Sequence, residues 1–183
     1  MTTELFEPEQ LWHWVARRRV RPGWVWTPVA LAVVGGLVVA AATEIGVRLF
    51  NTDWNFVAGY TAQRDRGWGP LLALWLAATG LPLAQGLFGG WMLPLYGRRR
   101  DWAGGLAVAV FGSLPIYAAA PALAVLPGIL LVFVAFLVSC AWWGSGARSL
   151  LGVPIGEAAD HVVASIIAAS LALSIALAVV PFS

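Results

Sequence analysis

The longest uncharged segment of the chain sets the strongest limit on its fold. From Trp102 to Ala147 there are 46 consecutive residues without Asp, Glu, Lys or Arg. A single α-helix of this length would measure about 69 Å, more than twice the roughly 30 Å thickness of a bilayer's hydrocarbon core. Pro121 follows three alanines, and proline interrupts helical hydrogen bonding. We therefore expect the segment to turn back at Ala118–Pro121 and to form two membrane-spanning helices.

Three further uncharged runs, at 22–43, 67–97 and 162–183, are each long enough for one span. The composition agrees, since 60% of the residues are hydrophobic and 11% are charged, against about 25% charged residues in soluble domains. A soluble enzyme, a disordered chain and a nucleic-acid-binding protein are excluded. The sequence predicts an all-α membrane protein with five spans, at about 24–46, 70–96, 102–119, 122–144 and 161–181.

The arginines predict how these helices are oriented. All 11 basic residues are arginine, and cytoplasmic loops of membrane proteins are enriched in basic residues. With a cytoplasmic N-terminus, eight arginines lie inside and three outside, which predicts an N-in, C-out topology. The inner arginines are Arg17, Arg18, Arg19, Arg21, Arg98, Arg99, Arg100 and Arg148, and the outer ones are Arg48, Arg64 and Arg66.

The chain divides into a short cytoplasmic segment, residues 1–22, and a membrane domain, residues 23–183. In the segment Leu11, Trp12 and Val15 recur at helical spacing after Pro8, a residue suited to the first turn of a helix. Arginines follow them. This pattern predicts a short amphipathic helix on the inner membrane face, with its arginines toward anionic headgroups.

Several short motifs follow one another along the second half of the chain. They are Tyr96-Gly-Arg-Arg-Arg-Asp-Trp-Ala-Gly-Gly, Phe111-Gly-Ser-Leu-Pro-Ile-Tyr117, Leu126-Pro-Gly128 and Leu151-Gly-Val-Pro-Ile-Gly-Glu-Ala-Ala-Asp-His161. In this order the chain resembles the bacterial branch of the Yip1 family of five-span membrane proteins. The resemblance implies an N-in, C-out five-helix fold and, from eukaryotic relatives, a partner-binding or organising role beside small GTPases. The short segment 1–22 departs from the longer cytosolic region of those relatives, which speaks against a GTPase partner.

Polar side chains in or beside the spans are the first candidates for function, because such groups are costly inside a membrane. Glu44 and Arg48 stand four residues apart near the outer end of the first span, and either form an interfacial ion pair or contact a partner. Gln85 lies in the second span, three residues after Pro82. It either satisfies a backbone carbonyl freed by the proline or lines a permeation path.

Glu157, Asp160 and His161 immediately precede the last span. Carboxylates are favoured at helix N-termini, so a helix cap is one interpretation of this cluster. A proton or metal site at the inner face is the other. Because the sequence holds neither a nucleophile–base pair nor a complete ligand set, we expect no catalytic residue, no metal and no cofactor.

Other residues are predicted to contact partners or lipids. Arg98, Arg99 and Arg100 either clamp a phosphate or only orient the chain. Small residues recur every four positions in the last span, which favours close helix packing, and the predicted outer loop is rich in aromatic side chains. The residues concerned are Ala164, Ala168 and Ala172 in the span, and Trp54 in the loop.

These features favour a non-enzymatic accessory or scaffold subunit in the bacterial cytoplasmic membrane. Its partners would be other integral membrane proteins or a second copy of itself, together with phospholipids, and no nucleic acid. Two alternatives stay open. One is a small permease or channel component, and the other is the membrane anchor subunit of a respiratory or other redox complex.

Overall fold

The computed structural model describes residues 8–50, 69–124 and 128–179, apart from the side chains of residues 47–50, 70, 128, 129, 177 and 179. Within these ranges the chain forms α-helices joined by turns, with 3₁₀ turns at Leu93–Tyr96 and Ala120–Ala124. The helices are α1 (Pro8–Arg18), α2 (Trp26–Phe50), α3 (Gly69–Met92), α4 (Trp102–Gly112), α5 (Leu114–Ala119), α6 (Gly128–Ser149) and α7 (Ala158–Val179).

Five helical stretches among the described residues are long and apolar enough to cross a membrane, with mean hydropathies of 1.6 to 2.0. The prediction of an all-α protein with five spans is therefore confirmed for this part of the chain. The chain is an integral membrane protein by the length and apolar character of these helices. The stretches are Trp26–Gly46, Leu71–Tyr96, Trp102–Ala124, Leu130–Ser149 and Ala158–Ala176.

The third span lies at the centre of the bundle. In its most apolar stretch 61% is buried inside the protein, whereas the corresponding share in the other spans is 22–39%. It bends at Ser113, between α4 and α5, because Pro115 lacks the N–H that would continue the helical ladder. At the bend the carbonyl of Ala109 accepts hydrogen bonds from the Ser113 hydroxyl at 2.8 Å and from the Trp143 indole of α6 at 2.9 Å.

The predicted start of the fourth span needs correction. The third span is predicted to end at 119 and the fourth to begin at 122. Helix α5 does end at Ala119, but a 3₁₀ turn continues to Ala124, and the next helix begins at Gly128. Pro121 is the second residue of the 3₁₀ turn Ala120–Ala124. Like Pro115 at the start of α5, Pro121 has no N–H to continue the hydrogen-bond ladder of the preceding turn, so the α-helix ends there and a new segment begins.

Glycines bring α3 and α4 into backbone contact. A methyl group added at Gly86 would lie 2.6 Å from the Cα atom of Leu106, and one added at Gly105 would lie 2.7 Å from the nitrogen of Gly90. The amide of Asp101 also donates to the carbonyl of Gly90 at 3.3 Å. Gly86 and Gly90 are four residues apart, which is the spacing that allows close helix packing in membranes.

The small residues of α2 are used in a similar way. A methyl group at Gly35 would lie 2.6 Å from the ring of Tyr117, and one at Gly36 would lie 3.0 Å from the backbone nitrogen of Thr79. The helix α2 therefore packs closely against α5 on one side and against α3 on the other. The space beside the glycines of the first two spans is therefore occupied by other helices of the same chain.

The N-terminal helix α1 packs against the end of α6. Trp12 and Val15 are buried, and the ring of Trp12 lies 2.7 Å from where a methyl group on Gly146 would be. After α1 the ring of Trp24 stacks on Phe111, with centroids 5.9 Å apart. The apolar side of α1 is thus fixed to the membrane domain.

The Asp101 carboxylate joins two parts of the chain. Its Oδ2 atom accepts from Nη1 of Arg19 at 2.6 Å, which ties the segment after α1 to the loop before α4. Its Oδ1 atom accepts from the amide of Gly104 at 2.8 Å and so caps the N-terminus of α4.

Substitution of Asp101 should separate these two contributions. Asp101→Ala removes the cap and the ion pair, and we expect a loss of about 1 kcal/mol for the cap alone. Asp101→Asn keeps an oxygen acceptor for the cap, and the ion pair, whose side chains are 32% and 33% exposed, contributes less than about 1 kcal/mol. Thermal unfolding in detergent should therefore rank wild type, Asn and Ala in descending order. Equal losses for Asn and Ala would contradict the capping role.

The glycine contact between α3 and α4 gives a second prediction. Gly86→Ala should lower the free energy of unfolding by about 1–3 kcal/mol, because the added methyl meets backbone atoms that cannot rotate away. Gly144→Ala in α6 is the matched control, since nothing lies within 4 Å of that methyl position. The control should leave thermal stability unchanged or raise it slightly. Similar melting temperatures for the two variants would argue against the close contact.

Candidate functional site

Polar residues predicted separately in the second and fifth spans meet in the interior of the bundle. Gln85 of α3 and His161 of α7 are 5% and 3% exposed and line the same small cavity. Ser165 and Trp143 complete its polar lining. The cavity measures about 10 Å³, which is room for roughly one water molecule.

The imidazole of His161 lies between α3 and the 3₁₀ turn that follows it. Its ring packs edge-on against Tyr96, with centroids 5.4 Å apart. Its Nε2 atom is 3.4 Å from where a methyl group on Gly89 would lie, so the absence of a side chain at Gly89 makes room for the ring. Within the described ranges, the buried Nδ1 atom has no hydrogen-bond partner.

Two of the other polar groups of the lining, those of Ser165 and Trp143, are satisfied inside the protein. The hydroxyl of Ser165 donates to the carbonyl of Val162 at 2.8 Å, and the indole of Trp143 donates to Ala109 at the bend of the third span. Burying polar groups without partners costs free energy. The Nδ1 atom of His161, in contrast, is buried in this cluster without a hydrogen-bond partner among the described residues.

The three residues of the predicted cluster do not share one environment, namely Glu157, Asp160 and His161. Only His161 is buried, whereas Glu157 and Asp160 are exposed at the start of α7. This position places the carboxylates where the helix dipole favours negative charge. Among the described residues, no three side chains of His, Cys, Asp or Glu are grouped as metal ligands.

The outer candidates are only partly described. Glu44 is half-buried in α2, while the side chain of Arg48 and all of Trp54 lie outside the described residues. The ion pair between Glu44 and Arg48 and the docking role of Trp54 therefore remain predictions.

The structure gathers arginines from three segments at one end of the bundle, which we call the arginine end. The ion pair of Arg19 with Asp101 joins the segment after α1 to the loop after α3. The Arg98 guanidinium carbon lies 3.2 Å from the methyl position of Gly152, a glycine with φ of 68° in the loop before α7. Apart from the half-buried Arg19, the members are exposed: Arg17, Arg18, Arg21, Arg98, Arg99, Arg100 and Arg148.

Two of these arginines lie over tryptophan rings. The guanidinium carbon of Arg18 is 5.0 Å from the ring centroid of Trp14, and that of Arg100 is 5.9 Å from the ring centroid of Trp91. Both distances are within the range of cation–π attraction. The rings therefore help to hold the charges at the surface of the bundle.

The small-residue stripe of the last span lies beside its main contact. The face of α7 toward α3 is formed by His161, Ser165 and Ala169, which are buried, and by Leu173, which contacts Gly80. The predicted contact residues flank this face and are half-buried, namely Ala164, Ala168 and Ala172. The structure thus shifts the internal contact by one residue from the predicted stripe.

Ser165 and Gly89 also belong to the polar site, although neither is predicted there from the sequence. Ser165 stands four residues after His161 and Gly89 four residues after Gln85, so each pair lies on one helix face. This spacing could have pointed to both residues. Which two helices face each other, however, is not contained in the spacing.

Replacement of His161 tests whether its imidazole has a hydrogen-bond partner. A buried polar atom without a partner costs roughly 1–3 kcal/mol, so His161→Phe should leave the melting temperature unchanged or raise it. His161→Gln, which keeps a buried polar group, should be the less stable of the two variants. A marked loss of stability in His161→Phe alone would show that the imidazole has a bound partner.

Comparison of the chain with models of protein families, with curated proteins and with solved structures finds no match.

Proposed function

We propose that this chain is a non-enzymatic accessory or scaffold subunit of a membrane assembly, similar to Yip1-family proteins. Its last helix, α7, would pack against a helix of another integral membrane protein or of a second copy. Such association in lipid depends on close van der Waals packing. Lipid tails are as apolar as the side chains at a helix interface, so the hydrophobic effect does not drive helices together.

The half-buried alanine stripe on α7 is the observation that carries this proposal. Ala164, Ala168 and Ala172 keep part of their surface exposed, whereas Gly35, Gly36, Gly86 and Gly90 of the first two spans are in contact with neighbouring helices. Small side chains at an open surface let a second helix backbone approach closely. The neighbouring exposed side chains are large and suited to lipid contact, namely Val163, Ile167 and Leu171.

The arginine end supports an N-in, C-out orientation in a bacterial cytoplasmic membrane. Eight of the 11 arginines belong to this end, and basic residues favour the cytoplasmic side. Helix α1 packs Trp12 and Val15 against the membrane domain and exposes Arg17 and Arg18, which would face anionic headgroups at the inner surface.

The polar cluster gives less support to a permease. Gln85 and His161 surround a cavity of about 10 Å³, which is the size of one water molecule rather than of a solute path. A membrane anchor for a redox complex would use the same helix surface as a scaffold. It differs from our proposal only in the identity of the partner.

Bulky substitution on the stripe should weaken association. We expect Ala168→Phe to shift the protein from a complex toward the monomer in mild detergent, because the ring would hold the partner helix away. Ile167→Phe is the matched control, since Ile167 is the preceding residue and is exposed. Native mass spectrometry of both variants reads the assembly state, and their melting temperatures report on the fold.

Two outcomes would contradict the scaffold proposal. One is a wild-type chain that runs alone as a monomer under these conditions. The other is equal association of Ala168→Phe and Ile167→Phe at equal thermal stability.

A further inference from the structure

An exposed apolar stripe on the second span leads directly to the arginine end. Leu87, Trp91 and Leu95 follow one another at intervals of four residues along α3 and the 3₁₀ turn after it, and they are 44%, 49% and 74% exposed. From Leu87 to Leu95 the path is about 12 Å long at helical rise. The turn then ends at Gly97, whose φ of 69° redirects the chain into Arg98–Arg100.

Within the described ranges, the arginines at the end of this stripe take part in no ion pair. The nearest carboxylate in sequence, that of Asp101, is already bound by Arg19 and by the amide of Gly104. Arg100 is held over the ring of Trp91, and Arg98 lies beside Gly152. Three guanidinium groups are therefore available next to an apolar surface.

We propose that Arg98–Arg100 and the stripe Leu87–Trp91–Leu95 form a binding site for one anionic phospholipid. The arginines would donate hydrogen bonds to the headgroup phosphate, and an acyl chain would lie along the stripe. Guanidinium groups match phosphate oxygens through pairs of parallel N–H donors. A lipid is the occupant that satisfies both parts of the surface, because a free phosphate has no chain to cover the stripe.

The site requires more than the positive charge that orients a membrane protein. Orientation depends on charge, which lysine supplies as well as arginine. Bidentate phosphate recognition depends on the planar guanidinium, which lysine does not have. The site also needs no helix partner, so it stands or falls independently of the scaffold proposal.

Replacement of the three arginines by lysine tests the site while keeping the charge. Purified full-length protein in a mild nonionic detergent would be titrated with phosphatidylglycerol, and bound lipid counted by native mass spectrometry. Arg98→Lys with Arg99→Lys and Arg100→Lys should weaken binding about tenfold, which corresponds to the loss of roughly one charge-assisted hydrogen bond. The matched control is Arg148→Lys, at an exposed arginine of the same end of the bundle, which should bind as the wild type does.

Three further measurements test which ligand binds and whether the apolar stripe takes part. Phosphatidylcholine, which has the same chains but no net charge, should bind more weakly than phosphatidylglycerol. Inorganic phosphate should fail to displace the lipid. Trp91→Ala, which keeps all three arginines, should weaken binding of phosphatidylglycerol.

Three results would overturn the proposal. They are equal binding of the two lipids by the wild type, equal binding of phosphatidylglycerol by the two lysine variants, and full displacement of the lipid by inorganic phosphate. Melting temperatures of the variants without lipid exclude a folding defect. If the arginine variant does not fold, Trp91→Ala decides the outcome by itself.

Discussion

The backbone contact of α3 with α4 is the interaction on which the rest of the bundle depends. Lipid offers apolar side chains the same environment as a helix interface, so helices associate only where they pack better than lipid does. Gly86, Gly90 and Gly105 achieve this by removing side chains from the crossing. The contact fixes the third span at the centre and determines where the loop between the two helices emerges.

The same crossing determines which polar groups meet. Because Gly86 and Gly90 of α3 face α4, the adjacent residues Gln85 and Gly89 border the space that α7 enters with His161. Polar groups brought together in this way resist sliding or rotation of one helix against another, since a shift would expose them to lipid. The cluster therefore specifies the position of α7 relative to α3, whatever further role the imidazole has.

The number of spans could be predicted from the sequence because bilayer thickness fixes how many residues one helix needs. The start of the fourth span could not, since Pro121 lies in a 3₁₀ turn that continues to Ala124 before the next helix begins at Gly128. The meeting of Gln85 with His161 also escaped prediction, as each residue could be placed on its own helix but not against the other. Tertiary contacts of this kind depend on which helix faces touch.

Asp101 links the internal packing to the surface chemistry. Its carboxylate is held in place by the α4 N-terminus and neutralised by Arg19, so it is not available to compensate the three arginines that precede it. An unpaired aspartate at this position would have competed with an anionic ligand for Arg98–Arg100. The ion pair to the N-terminal segment therefore stabilises the fold only slightly, but it occupies the carboxylate of Asp101 and leaves Arg98–Arg100 without an ion pair at the end of the apolar stripe.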